Sequence, residues 1–362
     1  MDRFVMLAVV EGCGQTLIPA LLDPHADPDA LLRGPSRLPP AARRRLRDPD
    51  LPARAAEWRA GAARHAQTVL TPADTDYPGR LRDAPLRPLV LFVRGDLARL
   101  CSRERAVAIV GSRTPTAYGC AAARDFATSL ARAGFTLWSG LAAGIDAIAH
   151  RTALALGTPT VAVLAGGLDR VYPAAHAGLA ADIEARDGLL VAESPPGAQA
   201  RRGHFPRRNR LLATAVDAVL VVEAGRASGS LHTVRFAADA GVDVFAVPGP
   251  YTSPRSVGCH QLIADGAQIA SDPQDLLRRL GADLSRRGVA TTTRVDLSAD
   301  ALAIVSALQQ GPRPTDLVRR ETALEAGAFL RALLALTQAD QVQTLPGDLL
   351  AIRAATDANL SR

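Results

Sequence analysis

Along the middle of the chain, short continuous apolar runs alternate with segments of helical period. The runs are AVAIV (106–110), FTLWS (135–139), PTVAVLA (159–165), GLLVAE (188–193), AVLVVEA (218–224) and DVFAVPG (243–249). Strands that are apolar throughout are buried on both faces, as in a parallel sheet covered by helices. Between the runs, CAAARDFATSLARAG (120–134) and LHTVRFAADAG (231–241) carry the helical period. Residues 71–283 are therefore expected to form a doubly wound parallel α/β domain. In such a domain ligands bind at the carboxyl ends of the strands.

The flanks read differently. Residues 1–70 are rich in Pro, Arg and Leu, and predict a small helical domain of short helices with Pro-marked turns. The opening MDRFVMLAVVEGCG has a short apolar run that Glu11 interrupts, which predicts a buried helix rather than a signal peptide. Residues 284–296 read as a polar linker. The remainder, 297–362, reads as helix (ADALAIVSALQQ), short helix (PTDLVRRE) and longer helix (EAGAFLRALLALTQAD), followed by a two-stranded wing (VQTLPGDLLAIR). That order predicts a winged helix-turn-helix module.

Composition narrows the chemistry. All 42 basic residues among the 362 are arginine. Without lysine there is no P-loop ATPase and no Schiff-base catalysis. The net charge of +6 permits an anionic partner. Residues 71–290 hold 25 arginines against 20 acids, whereas 291–362 hold 7 against 8. A winged helix that grips DNA should be basic, so this one is expected to touch protein or to bind DNA weakly. The four cysteines, Cys13, Cys101, Cys120 and Cys259, form no C-x-x-C pair and fit a reducing cytosol. No run approaches the ~18 apolar residues of a membrane span, so a cytoplasmic location is expected.

Three strand ends carry glycine turns. The first is Gly111-Ser112-Arg113-Thr114, where a helix follows and Arg113 adds a fork suited to phosphate. The second runs from Ser139-Gly140 to Gly144, ahead of a helix bearing Asp146 and His150. Those two share a helix face, and capping and packing is the favoured reading over an acid/base pair, since no nucleophile accompanies them. The third is Ala165-Gly166-Gly167-Leu168-Asp169. Adjacent turns of this kind predict one groove lined by backbone N–H groups, suited to successive phosphates. The loop 194–216 then brings Arg201, Arg202, Arg207, Arg208 and Arg210, with Asn209 and Phe205 and no acid. Cations around an aromatic suit a single-stranded nucleic acid, which needs charge neutralisation and a stacking face. The same residues also suit a solvated basic loop leading into a helix. Ser228-Gly229-Ser230 reads as a further phosphate turn or as a helix cap.

At these residues the chain resembles the DNA-processing protein A family (DprA, also called Smf). The resemblance rests on VAIVGSR (107–113) with Tyr118-Gly119, SGLAAGIDAIAH (139–150), VAVLAGGLDRVYP (161–173), FPRRNR (205–210), VVEAGRASGSLHT (221–233), FAVPG (245–249) and GCHQLIADGA (258–267). It covers about residues 75–282 in order. It implies a Rossmann-like sheet, a leading helical (SAM-like) domain and a winged-helix-like module at the C-terminus. It also implies a non-catalytic homodimer without cofactor or metal, joined through the Rossmann-like domain. Such a protein binds and protects incoming single-stranded DNA in natural transformation and homologous recombination. It helps to load the RecA recombinase and displaces single-strand-binding protein. The resemblance carries over Arg113, Arg202, Phe205, Arg208 and Asn209 as DNA-binding residues. With the turns, the candidate set is Gly111, Ser112, Arg113, Ser139, Gly140, Gly166, Gly167, Arg201, Arg202, Phe205, Arg207, Arg208, Asn209 and Arg210. Ala143 stands where members often carry arginine, His176 where asparagine is usual, and His232 in a slot usually apolar. The alternative is a Rossmann-like nucleotide-processing enzyme, such as a phosphoribohydrolase. Its PGGxGT turn has only AGGLDR as a counterpart here. A regulator reading DNA through the winged helix is disfavoured by that module's charge.

Overall fold

The computed structural model describes residues 2–11, 44–45, 47–84, 87–97, 105–282, 298–308, 311–338, 341–345 and 348–352. Cys13, Arg43, Cys101 and the expected linker at 284–296 lie outside them. The chain divides into two compact units, Met1–Gly288 and Val289–Arg362.

The first unit opens with helices α1 (Asp2–Glu11) and α2 (Leu51–Arg64), then β1 (Thr68–Leu70), the single turn α3 (Gly79–Arg82) and β2 (Leu91–Gly95). Strands and helices alternate from there: β3 (Ala106–Val110), α4 (Ala117–Arg132), β4 (Thr136–Ser139), α5 (Ile145–Ala155), β5 (Thr160–Leu164) and α6 (Ala177–Ala185). Next come β6 (Leu189–Ala192), α7 (His204–Thr214), β7 (Ala218–Val221), α8 (Ser230–Asp239), β8 (Asp243–Ala246), α9 (Val257–Ala264), β9 (Gln268–Ile269) and α10 (Pro273–Arg279). All nine strands share one sheet, in the order β1-β2-β6-β5-β4-β3-β7-β8-β9. The strands from β3 onward pair in parallel.

The six apolar runs become β3 to β8; β3 to β7 are buried throughout, as continuous apolar strands should be, whereas β8 starts exposed at Asp243 and is buried at Phe245 and Ala246. Alternate residues feed opposite layers. Val107 and Ile109 of β3 pack with Phe126 and Leu130 of α4, whereas Ala108 and Val110 join Leu211 and Leu212 of α7. The chain winds outward from β3 through β4 and β5 to β6, then crosses back to β7 on the other side of β3. The winding reverses between β3 and β7, and a crevice opens at their carboxyl ends.

Two features differ from the pattern read in the sequence. The sheet is extended by an antiparallel edge, with β2 paired to β6 and β1 to β2. Only residues 96–105 separate β2 from β3, too few for a parallel crossover, so the strand–helix alternation gives no hint of β2. The leading helices also share the core of the sheet instead of standing apart. Val5, Leu7 and Val9 of α1 and Leu51 and Ala55 of α2 are buried with Phe92, Leu164 and Leu190. Trp58 meets Phe92 edge-to-face at 6.0 Å.

The second unit holds α11 (Ala299–Ala307), β10 (Arg313–Pro314), α12 (Thr315–Thr322), α13 (Ala326–Gln338), β11 (Val342–Leu345) and β12 (Leu349–Ile352). Its sheet order is β10-β12-β11, all antiparallel, so the expected two-stranded wing gains a short third strand. Ser298 caps α11 by accepting from the Ala301 amide. Ile304, Val318, Phe329, Leu336 and Leu350 close the core.

Candidate nucleic-acid interface

A cavity of about 380 Å³ lies at the switch point. The turn after β3 (Gly111 to Thr114), Phe205, Pro206, Arg208 and Asn209 of α7, and Gly225 with Ala227 to Ser230 after β7 line it, with His232 and Arg255. The turn after β3 is fixed from behind. The Ser112 amide donates to Glu223 O at 2.7 Å, and the Ile145 amide donates to Ser112 O at 3.1 Å. Glu223 also accepts from the amide of Thr116 at 3.2 Å and from its hydroxyl at 2.5 Å, which sets the start of α4. A side chain at Gly111 would lie 2.8 Å from Ile145 and 2.9 Å from Glu223 O, so only glycine lets β3 end this close to α5.

Arg113 and Phe205 meet at the cavity. The guanidinium lies 5.4 Å from the ring centroid, within cation–π reach, and Tyr172 packs edge-to-face on the same ring at 5.8 Å. Arg113 is exposed and Phe205 half-buried, so both remain available to a ligand. Among the described residues, Asp146 supplies the single carboxylate in the lining, and it is buried. It accepts from the amides of Gly140 at 3.1 Å and Ala142 at 3.2 Å, which shapes the second turn. Burial holds its pKa above the ordinary value, against the opposing pull of Arg208 and the two amides. Asp146 is thus a structural group, as its sequence spacing suggested, and so is His150. The His150 Nδ1 lies 2.8 Å from Thr160 Oγ1, whose own proton goes to Leu137 O at 2.6 Å. His150 therefore donates through Nδ1. Burial, together with His176 and Arg208, pushes its pKa down to about 3, so it is neutral.

The basic segment splits in two. Arg201 and Arg202 are exposed on the loop before α7. Arg208 is buried, and its Nη1 donates to Val163 O at 2.6 Å and to Gly140 O. A Cβ at Gly140 would overlap that guanidinium, which is why glycine stands there. Arg208 therefore fastens the second turn, and Arg208 and Asn209 both line the cavity. Asn209 accepts from Arg208 Nε at 3.2 Å and donates to Gly229 O at 3.2 Å, joining α7 to the start of α8. Arg210 is buried against Glu193 at 2.5 Å, and Arg207 reaches the same carboxylate at 3.3 Å. Burial alone would raise the Glu193 pKa; Arg210 and Arg207 more than offset it and hold it below the ordinary value.

The expected continuous groove is interrupted. Ser139 is fully buried and donates to Ile109 O at 2.6 Å, so it does not reach the cavity. The Gly166-Gly167 turn is filled by the protein's own loop. The Gly167 amide donates to Ala198 O at 2.8 Å, and Asp169 accepts from the Gly197 amide at 2.9 and 3.0 Å. A phosphate in that turn would have to displace residues 195–200, and a nucleotide-enzyme turn at AGGLDR finds its cradle already occupied. Sequence reasoning missed Arg255 altogether. Its Nη1 donates to Ser112 Oγ at 2.9 Å and to Thr114 Oγ1. A lone arginine in a loop after β8 gives no periodic signal. His232, uninterpreted from sequence, is exposed and lines the cavity, while His176 is buried with Nδ1 2.8 Å from Leu141 O. Ala143 is exposed beside the second turn.

Among the described residues, no His/Cys/Asp/Glu group could hold a metal ion, and no helix is long and apolar enough to cross a membrane. Fold and site together define a Rossmann-like α/β protein with a cationic, aromatic cavity at the switch point of its sheet, joined to a winged helix. The chain belongs to the DNA recombination-mediator protein A family, whose model matches residues 68–281; the DprA winged helix domain matches residues 289–348. Protein Smf of Escherichia coli is 36% identical over 293 residues, spanning 79% of this chain and 78% of that protein. The putative DNA processing protein DprA of Mycobacterium tuberculosis is 43% identical over 230 residues, 60% of this chain and 59% of its own. The crystal structure of DNA processing protein A from Streptococcus pneumoniae superposes with a TM-score of 0.66 at 32% identity, covering 77% of this chain and 97% of that one. The Helicobacter pylori protein, solved for its single-stranded DNA binding mode, gives 0.54 at 29% identity over 60% of this chain and 96% of that one.

Proposed function

We propose that this chain binds single-stranded DNA at the β3–β7 crevice and acts as a recombination mediator without catalysis. One observation carries the reading: Arg113 sits over Phe205 at a cavity whose single carboxylate among the described residues, Asp146, is buried and committed to backbone amides. Phosphates are neutralised by Arg113 and by Arg201 and Arg202 on the approach loop, and a base stacks on Phe205. Gly111 and Ser112 bring backbone close to the strand, while Gly140, Arg208 and Asn209 hold the wall. The family and the Helicobacter pylori relative support this assignment. The same reading has the protein work in the cytoplasm as a homodimer, protect the strand, load RecA and displace single-strand-binding protein.

Fluorescence anisotropy with oligo-dT tests it. Phe205→Ala is expected to lose about 1–3 kcal/mol of affinity. Affinity should also fall steeply with salt, by about 0.7 in log–log slope for each phosphate contact. Undiminished binding by Phe205→Ala, or a flat salt titration, sinks the interface. Loading is checked separately, by the rate at which RecA filaments form on strands coated with single-strand-binding protein.

A further inference from the structure

We propose that the nucleic-acid track runs from the cavity, where Arg255 contacts a phosphate, onto the loop after β8, where Tyr251 stacks on a base. The proposal rests on the single-strand reading above. Arg255 is held by two neutral hydroxyls, Ser112 and Thr114, and no carboxylate pairs with it among the described residues. Both bonds use Nη1, which leaves Nε and Nη2 for an anion. A guanidinium anchored by neutral acceptors keeps its charge uncompensated, unlike Arg210 on Glu193. It is also attached to the turn that carries Arg113.

Tyr251 lies four residues before Arg255 on the same loop and is 88% exposed. Tyr118 donates its hydroxyl to Pro248 O at 2.5 Å and fixes the loop where it leaves β8. The chain has four tyrosines. Tyr77 is buried, and the other three (Tyr118, Tyr172 and Tyr251) are exposed and follow the carboxyl ends of β3, β5 and β8. A single exposed aromatic is ordinary, but three along one sheet edge, with arginines between them, match the alternation a single strand needs. From β5 to β8 there are four strand spacings, about 19 Å at about 4.8 Å each. At about 3.4 Å per stacked nucleotide, about six nucleotides span that distance. The Tyr172–Phe205 pair would hold one end and Tyr251 the other, with Arg113 and Arg255 between.

The test uses the full chain with oligo-dT of about four and about twelve nucleotides across a salt series. Tyr251→Ala should weaken the longer oligomer about fivefold or more and leave the shorter one, seated at Phe205, unchanged. Arg255→Gln should lower the salt slope for the longer oligomer by about 0.7, and Arg255→Lys should restore it. Tyr251 is almost fully exposed, so its removal leaves the fold intact, and thermal unfolding of each variant confirms this. Equal effects of Tyr251→Ala on both lengths, or none on either, overturn the extension while a loss in Phe205→Ala keeps the single-strand reading standing. If Phe205→Ala is also silent, the single-strand reading itself fails.

Discussion

The glycine turns after β3 and after β5 lie on one edge of one sheet and look alike in sequence, yet they end in opposite states. The turn at Gly111–Thr114 opens onto a cavity beside an exposed arginine and a half-buried ring. The turn at Gly166-Gly167 is filled by residues 195–200 and closed by Asp169. A glycine at a strand end reports only that something approaches the backbone closely. Whether that is a ligand or the protein's own chain depends on a loop far away in sequence. The arginines divide in the same way. Arg113 is exposed and Arg255 half-buried, whereas Arg208 and Arg210 are buried and consumed by backbone carbonyls and Glu193.

The contrast can be broken by removing members of the consumed class. Arg210→Met should have the largest effect, about 3–5 kcal/mol of lost stability, because Glu193 stays buried with Arg207 as its remaining partner. Urea unfolding measures it, and the folded variant should bind oligo-dT normally. A large loss of affinity in the folded variant would move Arg210 into the binding class. Acid comes next. The unfolded chain protonates His150 near pH 6.5, and the folded chain refuses that proton until about pH 3. The folded pKa is depressed, so the His150 contribution to stability is full above pH 6.5 and declines as pH falls toward 3. The slope reaches about 1.4 kcal/mol per pH unit. Urea midpoints across this window should fall less steeply in His150→Gln.

Gly167→Ala sharpens the comparison between the turns. Its Cβ would sit 2.6 Å from Pro195 O and 2.7 Å from Asp169 Oδ1, so about 1–3 kcal/mol of stability should go, with affinity retained. A loss of affinity with stability unchanged would show that this turn takes phosphate after all. The smallest effect belongs to Arg202→Ala. Arg202 is exposed, and its loss should lower the salt slope by about 0.7 and leave the melting temperature where it was.

Much of the architecture was legible in the chain. Six apolar runs became the parallel strands β3 to β8, because strands buried on both faces have no reason to alternate. The edge strands were hidden for the same reason in reverse: β1 and β9 are three and two residues long, and β2 leads into no crossover. Within the site, Gly111, Ser112, Arg113 and Phe205 were readable because the turn and the aromatic stand next to their elements in sequence. The geometry of Arg208 was not, since its partners Gly140 and Val163 come from two other strands. Arg255 was invisible because its hydroxyl partners lie more than a hundred residues earlier in the chain. Buried and exposed arginines have the same letter, and in a chain without lysine composition does nothing to separate them.

The Asp169 carboxylate on the Gly197 amide has a consequence for rates. It ties down the segment that carries Arg201 and Arg202 and leads into Phe205, so the ring proposed to stack on a base is in place before any strand arrives. Capture then needs no prior folding step. Its speed is set by diffusional encounter and by the field of the arginines, and ionic strength should alter arrival far more than departure.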